Sequence, residues 1–189
     1  SQDPSKNSKT GQYPSYEEIT AFLQRMNTTY PTLTQLISIG KSIQGRDLWV
    51  LKISDHAATD EVEPEVKYIS SMHGDEITGR DLLLRLIEEI LSRYGTDPEI
   101  TRLVNHTEIY ILPSMNPDGT VARTRGNAAH ADLNRDFPDF TTPDNQNTWE
   151  GRQPETQAVM QFQAQRNFAL SANFHTGAEV VNYPWDTTN

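Results

Sequence analysis

Three residues whose side chains bind metal ions come directly after apolar, β-branched segments of the sequence. His73 and Glu76 follow one such segment, and His175 follows another. A His and a Glu separated by two residues at a strand-to-helix turn can both point at one ion, and Gly74 between them lets the backbone bend sharply. Two histidines and one glutamate form the ligand set of a catalytic zinc ion, which leaves its fourth position to water and lowers the pKa of that water to about 7.

The prediction of a metal site depends on the three residues together. An isolated H-x-x-E pair is common by chance, and a single His after an apolar strand is more often a hydrogen-bonded packing residue. The other histidines have no comparable carboxylate neighbourhood at a strand end. We interpret them as surface or loop residues, and they are His56, His106 and His130.

The segment Ser114–Gly151 shows little periodicity over nearly forty residues, and segments of this length inside a domain are usually functional or disordered. Within it, Asn116-Pro117-Asp118-Gly119 is by itself only a turn signal. Asn134 and Arg135 could hold a substrate carboxylate near a zinc site, because a guanidinium group binds a carboxylate through two parallel hydrogen bonds. The alternative is that Arg125 and Arg135 are solvated ion-pair partners in an acidic chain.

The elements that must position these residues alternate between strands and helices. This alternation predicts an α/β fold with a mixed, mostly parallel sheet and helices on both faces, whose ligands bind beyond the carboxyl ends of the strands. The predicted helices run from Tyr16 to about Thr29, from Ile77 to about Tyr94 and from Pro154 to about Arg166. The predicted strands are Gln35–Ile39, Leu48–Ile53, Val66–Ser71, Glu108–Leu112 and Ala169–Phe174.

Composition excludes several classes of site and partner. The chain has 189 residues and no cysteine, so disulfides and thiolate zinc sites are excluded. The formal charge is −10, from 16 Lys plus Arg and 26 Asp plus Glu. Without clustered basic residues we expect no nucleic-acid partner. No run of about 18 apolar residues predicts a membrane span.

Five short motifs occur in the order and approximate spacing of the zinc metallocarboxypeptidases, and the chain looks most similar to the carboxypeptidase N/E branch of that family. The similarity covers roughly residues 16–186. The motifs are His73-x-x-Glu76, Asn116-Pro117-Asp118-Gly119, Asp132-Leu133-Asn134-Arg135, Pro154-Glu155-Thr156 and Phe174-His175-Thr176-Gly177. The resemblance implies the fold of that family and a zinc-dependent exopeptidase that hydrolyses the C-terminal peptide bond of peptides.

The resemblance also implies a role for each matching residue. His73, Glu76 and His175 would bind one zinc ion. Asp132 matches the carboxylate that orients the first zinc histidine, which is a common supporting role. Two further roles concern the substrate: Asn134 and Arg135 match the pair that binds its terminal carboxylate, and Arg125 is similar in position to the arginine that polarises the scissile carbonyl and stabilises its oxyanion.

Substrate preference depends on one residue of this resemblance. The run Tyr183-Pro184-Trp185-Asp186 matches a run of the N/E branch whose closing aspartate receives a basic side chain. Asp186 would therefore favour substrates that end in Lys or Arg. The alternative interpretation is a solvent-exposed loop aspartate.

The family's general-base glutamate and a substrate-closing tyrosine come well after the third zinc ligand, and this sequence ends at Asn189. We therefore expect residues 15–189 to be the N-terminal portion of one catalytic domain, incomplete at its C-terminal end, and residues 1–14 to be a disordered or processed tail. The expected partners are a peptide with a free C-terminus and the remaining part of the domain. The resemblance favours an extracellular or periplasmic location.

Two other functions stay open from the sequence. The same scaffold could serve an amidohydrolase that acts on modified amino acids or cell-wall peptides. It could also be a non-catalytic module that binds zinc and carboxylates, if the downstream Glu and Tyr are absent.

Overall fold

A computed structural model gives the fold and describes residues 13–182. At its centre lies a five-stranded sheet with the strand order β1-β2-β4-β3-β5. The strands are β1 (Thr34–Lys41), β2 (Asp47–Ile53), β3 (Glu65–Ser70), β4 (Glu108–Leu112) and β5 (Phe168–Phe174). All five predicted strands are confirmed, with ends that differ by two residues or fewer.

Strand β2 alone runs opposite to the other four strands. It pairs antiparallel with β1 and with β4, whereas β3 pairs parallel with both β4 and β5. The predicted mixed, mostly parallel sheet is therefore confirmed. The parallel pairing brings the carboxyl ends of β3, β4 and β5 to one edge of the sheet, where ligands of open α/β sheets bind.

Helices cover both faces of the sheet, as predicted. The helices are α1 (Tyr16–Thr29), α2 (Thr78–Arg93), α3 (Pro98–Val104), α4 (Pro117–Ala122) and α5 (Pro154–Ala164). Alternation along β4 divides the core: Ile109 and Ile111 pack with α1, α2 and α3, whereas Tyr110 and Leu112 pack with α5. Successive side chains of a strand point to opposite faces, so each face of the sheet has an apolar cluster of its own.

The first helix forms as its sequence predicts. The Ser15 hydroxyl accepts a hydrogen bond from the Glu18 amide, and the Glu18 carboxylate accepts one from the Ser15 amide. This capping box satisfies amide groups that have no partner inside the helix. Four apolar residues of α1 are buried against the sheet, namely Ile19, Phe22, Leu23 and Met26.

Two short helices were absent from the sequence interpretation, which was wrong at these points. Pro98, four residues after the predicted end of α2, is the first residue of α3, and Asp97 caps that helix. The turn predicted at Asn116 is the start of α4, and Pro117 is again the first helical residue. Proline is favoured at this position because its missing amide would have no helical partner. The predicted loop Ser114–Gly151 therefore contains α4 and a 3-10 turn at Leu133–Arg135.

None of the helices within residues 13–182 combines the length and the apolar character needed to cross a bilayer.

Candidate metal centre

Three potential metal ligands converge at the carboxyl ends of β3 and β5. His73 Nδ1 lies 2.8 Å from Glu76 Oε1. His175 Nδ1 lies 3.2 Å from His73 Nδ1 and 3.1 Å from Glu76 Oε2. The fold thus brings together residues that are 102 positions apart in the chain.

The arrangement around His73 leaves one ring nitrogen free to bind a metal. His73 Nε2 lies 3.0 Å from Asp132 Oδ1, so the tautomer that suits its neighbours carries the proton on Nε2 and donates it to this carboxylate. The lone pair of Nδ1 then faces Glu76 and His175. A metal-binding histidine usually donates its second ring nitrogen to a carboxylate in this way.

The chemistry of these donors fits a zinc ion. Ligand atoms placed at about 2.0–2.2 Å from a tetrahedral zinc ion would be separated by roughly 3.4 Å. The two histidine Nδ1 atoms lie 3.2 Å apart, and each lies 2.8–3.1 Å from one of the two Glu76 carboxylate oxygens. Small outward movements would therefore be enough to admit the ion. Two imidazoles and a carboxylate are also the ligands that leave a fourth position open at a catalytic zinc ion.

Glu76 is held in its ionised form by its neighbours. Burial by itself raises the pKa of the Glu76 carboxyl, but the hydrogen bond from the Thr176 amide and the interactions with His73 and His175 outweigh it and hold the pKa below its ordinary value. The Thr176 amide donates to Glu76 Oε2 at 2.9 Å. A carboxylate that is ionised at neutral pH is the form that binds a metal ion.

The turn after β3 has a left-handed residue and a close backbone contact. Ser71 has a φ of 51°, and its hydroxyl donates to the Glu76 carbonyl at 2.9 Å. A Cβ on Gly74 would lie 2.1 Å from the carbonyl carbon of Gly119 in α4. Gly74 is therefore required for close approach between the two loops, and the left-handed conformation in this turn belongs to Ser71 instead.

Asn116 joins the parts of the site through its side chain. Its oxygen accepts a hydrogen bond from the Gly119 amide and so caps α4. Its amide nitrogen donates to the carbonyls of Met72 at 3.3 Å and Arg125 at 3.4 Å. Asn116 was predicted to lie in a turn, although an Asn before a Pro is also the signal of a capped helix start.

Arg125 and Asp132 form an ion pair beside the ligand cluster. The Arg125 Nε and Nη2 atoms each lie 3.0 Å from Asp132 Oδ2, and Nη1 lies 3.8 Å from Glu76 Oε1. Burial by itself raises the pKa of Asp132. Hydrogen bonds from Arg125, the Asn134 amide and His73 lower it by more than burial raises it, so the pKa is below its ordinary value. About half of the Arg125 side chain is exposed, so it can also contact a ligand in the open edge.

The remaining predicted substrate residues differ in their placement. Asn134 and Arg135 lie on the 3-10 turn directly after Asp132, and both are exposed. Among the described residues, no hydrogen bond joins either side chain to the metal cluster, and the Arg135 guanidinium donates to the Asn134 carbonyl. Asp186 lies outside the described residues, so its predicted role is not addressed by the structure.

The other histidines lie on the surface, but the interpretation of His56 was wrong in one respect. His106 and His130 are exposed. His56 is exposed as well, yet its Nδ1 lies 3.4 Å from Asp55 Oδ1 and 3.3 Å from Glu61 Oε2. The carboxylate neighbourhood that was not expected for His56 is created by Glu61, which the chain brings back after a short loop.

Two buried carboxylates attach the β1–β2 turn to the loops of the site. Asp118 of α4 accepts hydrogen bonds from Ser42 at 2.7 Å and from the Gln44 amide at 2.9 Å. Glu155 of α5 accepts from the Ile43 amide at 3.2 Å and from the Asn127 side chain at 3.1 Å. These contacts fix the backbone on both sides of Arg125.

Sequence comparison identifies the family to which this fold belongs. The profile of the zinc carboxypeptidase family matches residues 19–189. The chain belongs to the zinc carboxypeptidase family.

Individual relatives show how much of a whole protein the chain represents. It is 46% identical to carboxypeptidase D of Mus musculus over 90% of this chain and 13% of the relative. It is 45% identical to carboxypeptidase M of Mus musculus over 92% of this chain and 41% of the relative. The crystal structure of carboxypeptidase A from Helicoverpa armigera superposes with a TM-score of 0.75 at 26% identity, over 92% of this chain and 50% of that structure. The chain thus covers half or less of the length of each of these three proteins.

Proposed function

We propose that the protein is a zinc-dependent carboxypeptidase that hydrolyses the C-terminal peptide bond of peptides. The observation that carries the proposal is the convergence of His73, Glu76 and His175 beside the Asp132–Arg125 ion pair. In this proposal the three converging residues bind one zinc ion. When bound, zinc would supply a Lewis acid for the scissile carbonyl and lower the pKa of a bound water.

The surrounding residues have distinct tasks in the proposal. Asp132 accepts the Nε2 proton of His73 and keeps the lone pair of Nδ1 directed at the metal position. Arg125 stabilises the oxyanion that forms on the carbonyl, because its guanidinium already lies next to the cluster and is half exposed. Asn134 and Arg135 bind the terminal carboxylate of the peptide, for which their exposed positions on the 3-10 turn leave room.

We propose that the general base lies outside these 189 residues. Among the described residues, Glu76 is the one glutamate with a hydrogen bond or ion pair to the histidines of the cluster, and as a metal ligand it is committed to the ion. The chain spans 13% and 41% of the two relatives named above. Residues 15–189 would then form the N-terminal portion of the catalytic domain, and the remaining portion of that domain would complete the site.

We propose a preference for C-terminal Lys or Arg, with Asp186 as the residue that receives the basic side chain. The support is the Tyr183-Pro184-Trp185-Asp186 run and the similarity to carboxypeptidases D and M. We also propose an extracellular or periplasmic location, which fractionation of the source cells would test directly.

The test is hydrolysis of matched peptides that end in Arg, Phe or Glu by the full-length protein and its variants. We expect release of the terminal Arg, and loss of this activity to background together with loss of zinc in His73→Ala. The matched control is His106→Ala, because His106 is exposed and lies at the other end of the sheet. Zinc binding without hydrolysis of any peptide would contradict the proposed carboxypeptidase activity and favour a non-catalytic binding module.

The substrate preference is tested separately. Asp186→Asn should lower kcat/KM for the Arg peptide by at least tenfold and leave the Phe peptide nearly unchanged. Equal losses for both peptides would contradict the role of Asp186 while leaving the carboxypeptidase assignment intact. Cleavage restricted to modified amino acids or cell-wall peptides would instead favour the amidohydrolase.

A further inference from the structure

A cleft of about 290 Å³ lies between β3, α5 and the segment that leads into α5. Its volume is just below the range of typical small-molecule sites, which is roughly 300–1,000 Å³, and therefore suits a small ligand. The walls are mostly apolar or aromatic, and a single charged side chain lines it. The principal lining residues are Lys67, Phe137, Trp149, Val159, Met160 and Gln163.

Lys67 is the charged residue of this cleft. It lies in the middle of β3, is 7% exposed, and donates a hydrogen bond to the side-chain oxygen of Gln163 on α5. Its Nζ atom lies 5.0 Å from the centre of the Phe168 ring. An ammonium group has three donors, and within residues 13–182 the Gln163 oxygen is the acceptor that binds it.

No carboxylate pairs with Lys67 in the part of the chain that the structure describes. Burial lowers its pKa to about 8, and no neighbouring acid opposes the change. The group still carries its charge at neutral pH. A buried charge without a partner is costly, and an anion that enters the cleft would supply the missing partner.

The wall of the cleft that contains Phe137 and Trp149 is fixed before any ligand binds. Arg152 donates to the Asp136 carbonyl at 2.6 Å and pairs with Asp144 at 2.8 Å. Arg152 thus connects the two ends of the segment 136–152, which contains Phe137 and Trp149. A preformed cleft with apolar walls and one well-placed charge is the usual construction of a small-molecule site.

We propose that this cleft is a second binding site, separate from the metal cluster, for a small carboxylate with a short apolar body. The carboxylate pairs with the Lys67 ammonium group, and the apolar body packs between Trp149, Phe137 and Met160. The site differs from the metal centre in its chemistry, because it offers one ammonium group and aromatic walls in place of metal ligands.

The test uses hexanoate as the probe and methionine methyl groups labelled with carbon-13 in the full-length, zinc-loaded protein. Met160 lines the cleft. Met72 directly precedes the ligand His73 and is not among the lining residues, so it serves as the reporter for the metal centre. We expect hexanoate to move the Met160 signal saturably and to leave Met72 in place. Lys67→Leu should weaken this binding by about 10- to 100-fold, since a charge-assisted hydrogen bond is lost.

Two controls keep the proposal open to contradiction. Hexanamide has the same shape without the charge and should bind far more weakly than hexanoate. Equal binding of the two probes, or equal binding by Lys67→Leu and wild type, would overturn the proposal. A shift of Met72 alone would assign hexanoate to the metal centre and overturn the proposal. The absence of a saturable Met160 shift would show that Lys67 has another partner in the full-length protein, which would also overturn the proposal.

Discussion

The two ends of the parallel strands hold polar clusters of opposite character. At the amino end of β4, the Lys52 ammonium lies 2.7 Å from Glu108 Oε1, and both side chains are 1% exposed. The Tyr110 hydroxyl donates to Glu108 Oε2 at 2.8 Å, and the Thr59 carbonyl accepts from Lys52. Lys52 and Glu108 are therefore each paired with an opposite charge and make a further hydrogen bond.

The carboxyl end lacks this balance. His73, Glu76 and His175 direct their acceptor atoms at one point, and the cation beside them, Arg125, is bound to Asp132. Its closest approach to Glu76 is 3.8 Å. The comparison teaches that a closed set of charges is satisfied within the chain, whereas convergent acceptors need a cation from outside it.

The largest expected effect is a loss of stability when the charge pair at the amino end is broken. Glu108→Gln should lower the free energy of unfolding by about 3–5 kcal/mol, because Lys52 would lose its buried counter-charge and keep only the exposed Asp60 carboxylate at 3.5 Å. The double variant Lys52→Met with Glu108→Gln should recover much of that loss. Urea unfolding followed by circular dichroism measures both. If the single variant were as stable as wild type, the amino-end cluster would not act as a closed charge pair.

The second prediction uses Lys67, a buried lysine that contrasts with Lys52. Because its pKa is lowered to about 8 from 10.5, the folded protein loses this proton before the unfolded chain does. The unfolded state then binds more protons between about pH 8 and 10.5, so stability from this group rises with pH across that window by about 3 kcal/mol.

Lys67→Leu should remove this rise and should be more stable than wild type at pH 7. Denaturant titrations of both proteins at several pH values give the difference, and the other titrating groups cancel in the comparison. Identical pH profiles would mean that Lys67 has a counter-charge in the folded protein.

The smallest predicted effect concerns the carboxyl end. Asp132→Asn should weaken zinc binding by about 10- to 100-fold, because the hydrogen bond that orients His73 is changed. Competition with a chromophoric chelator measures the affinity. The matched control is Asp60→Asn at the other end of the sheet, where Asp60 pairs with Arg166 and zinc affinity should not change. A loss in the control as large as in Asp132→Asn would point to general destabilisation instead.

Local sequence patterns were sufficient for most of the elements. The capping box and the apolar spacing after Ser15 predicted α1 with its observed bounds. The five strands followed from short Ile- and Val-rich runs between turn residues. Such patterns are local, because helix caps and side-chain periodicity depend on residues a few positions apart. The short helices α3 and α4 were not predicted because Asp or Asn followed by Pro is typical of both turns and helix starts.

By itself, the sequence determined which residue types could bind a metal and on which strand ends they would lie. Only the tertiary structure decided that His175 meets His73 at 3.2 Å, that Asp132 contacts both His73 and Arg125, and that Lys52 pairs with a carboxylate while Lys67 pairs with none among residues 13–182. The physical reason is the separation along the chain over which each kind of interaction acts. Caps and periodicity act between neighbours in the chain, whereas coordination and charge pairing act between residues that meet only after strands far apart in sequence pair and helices pack on them.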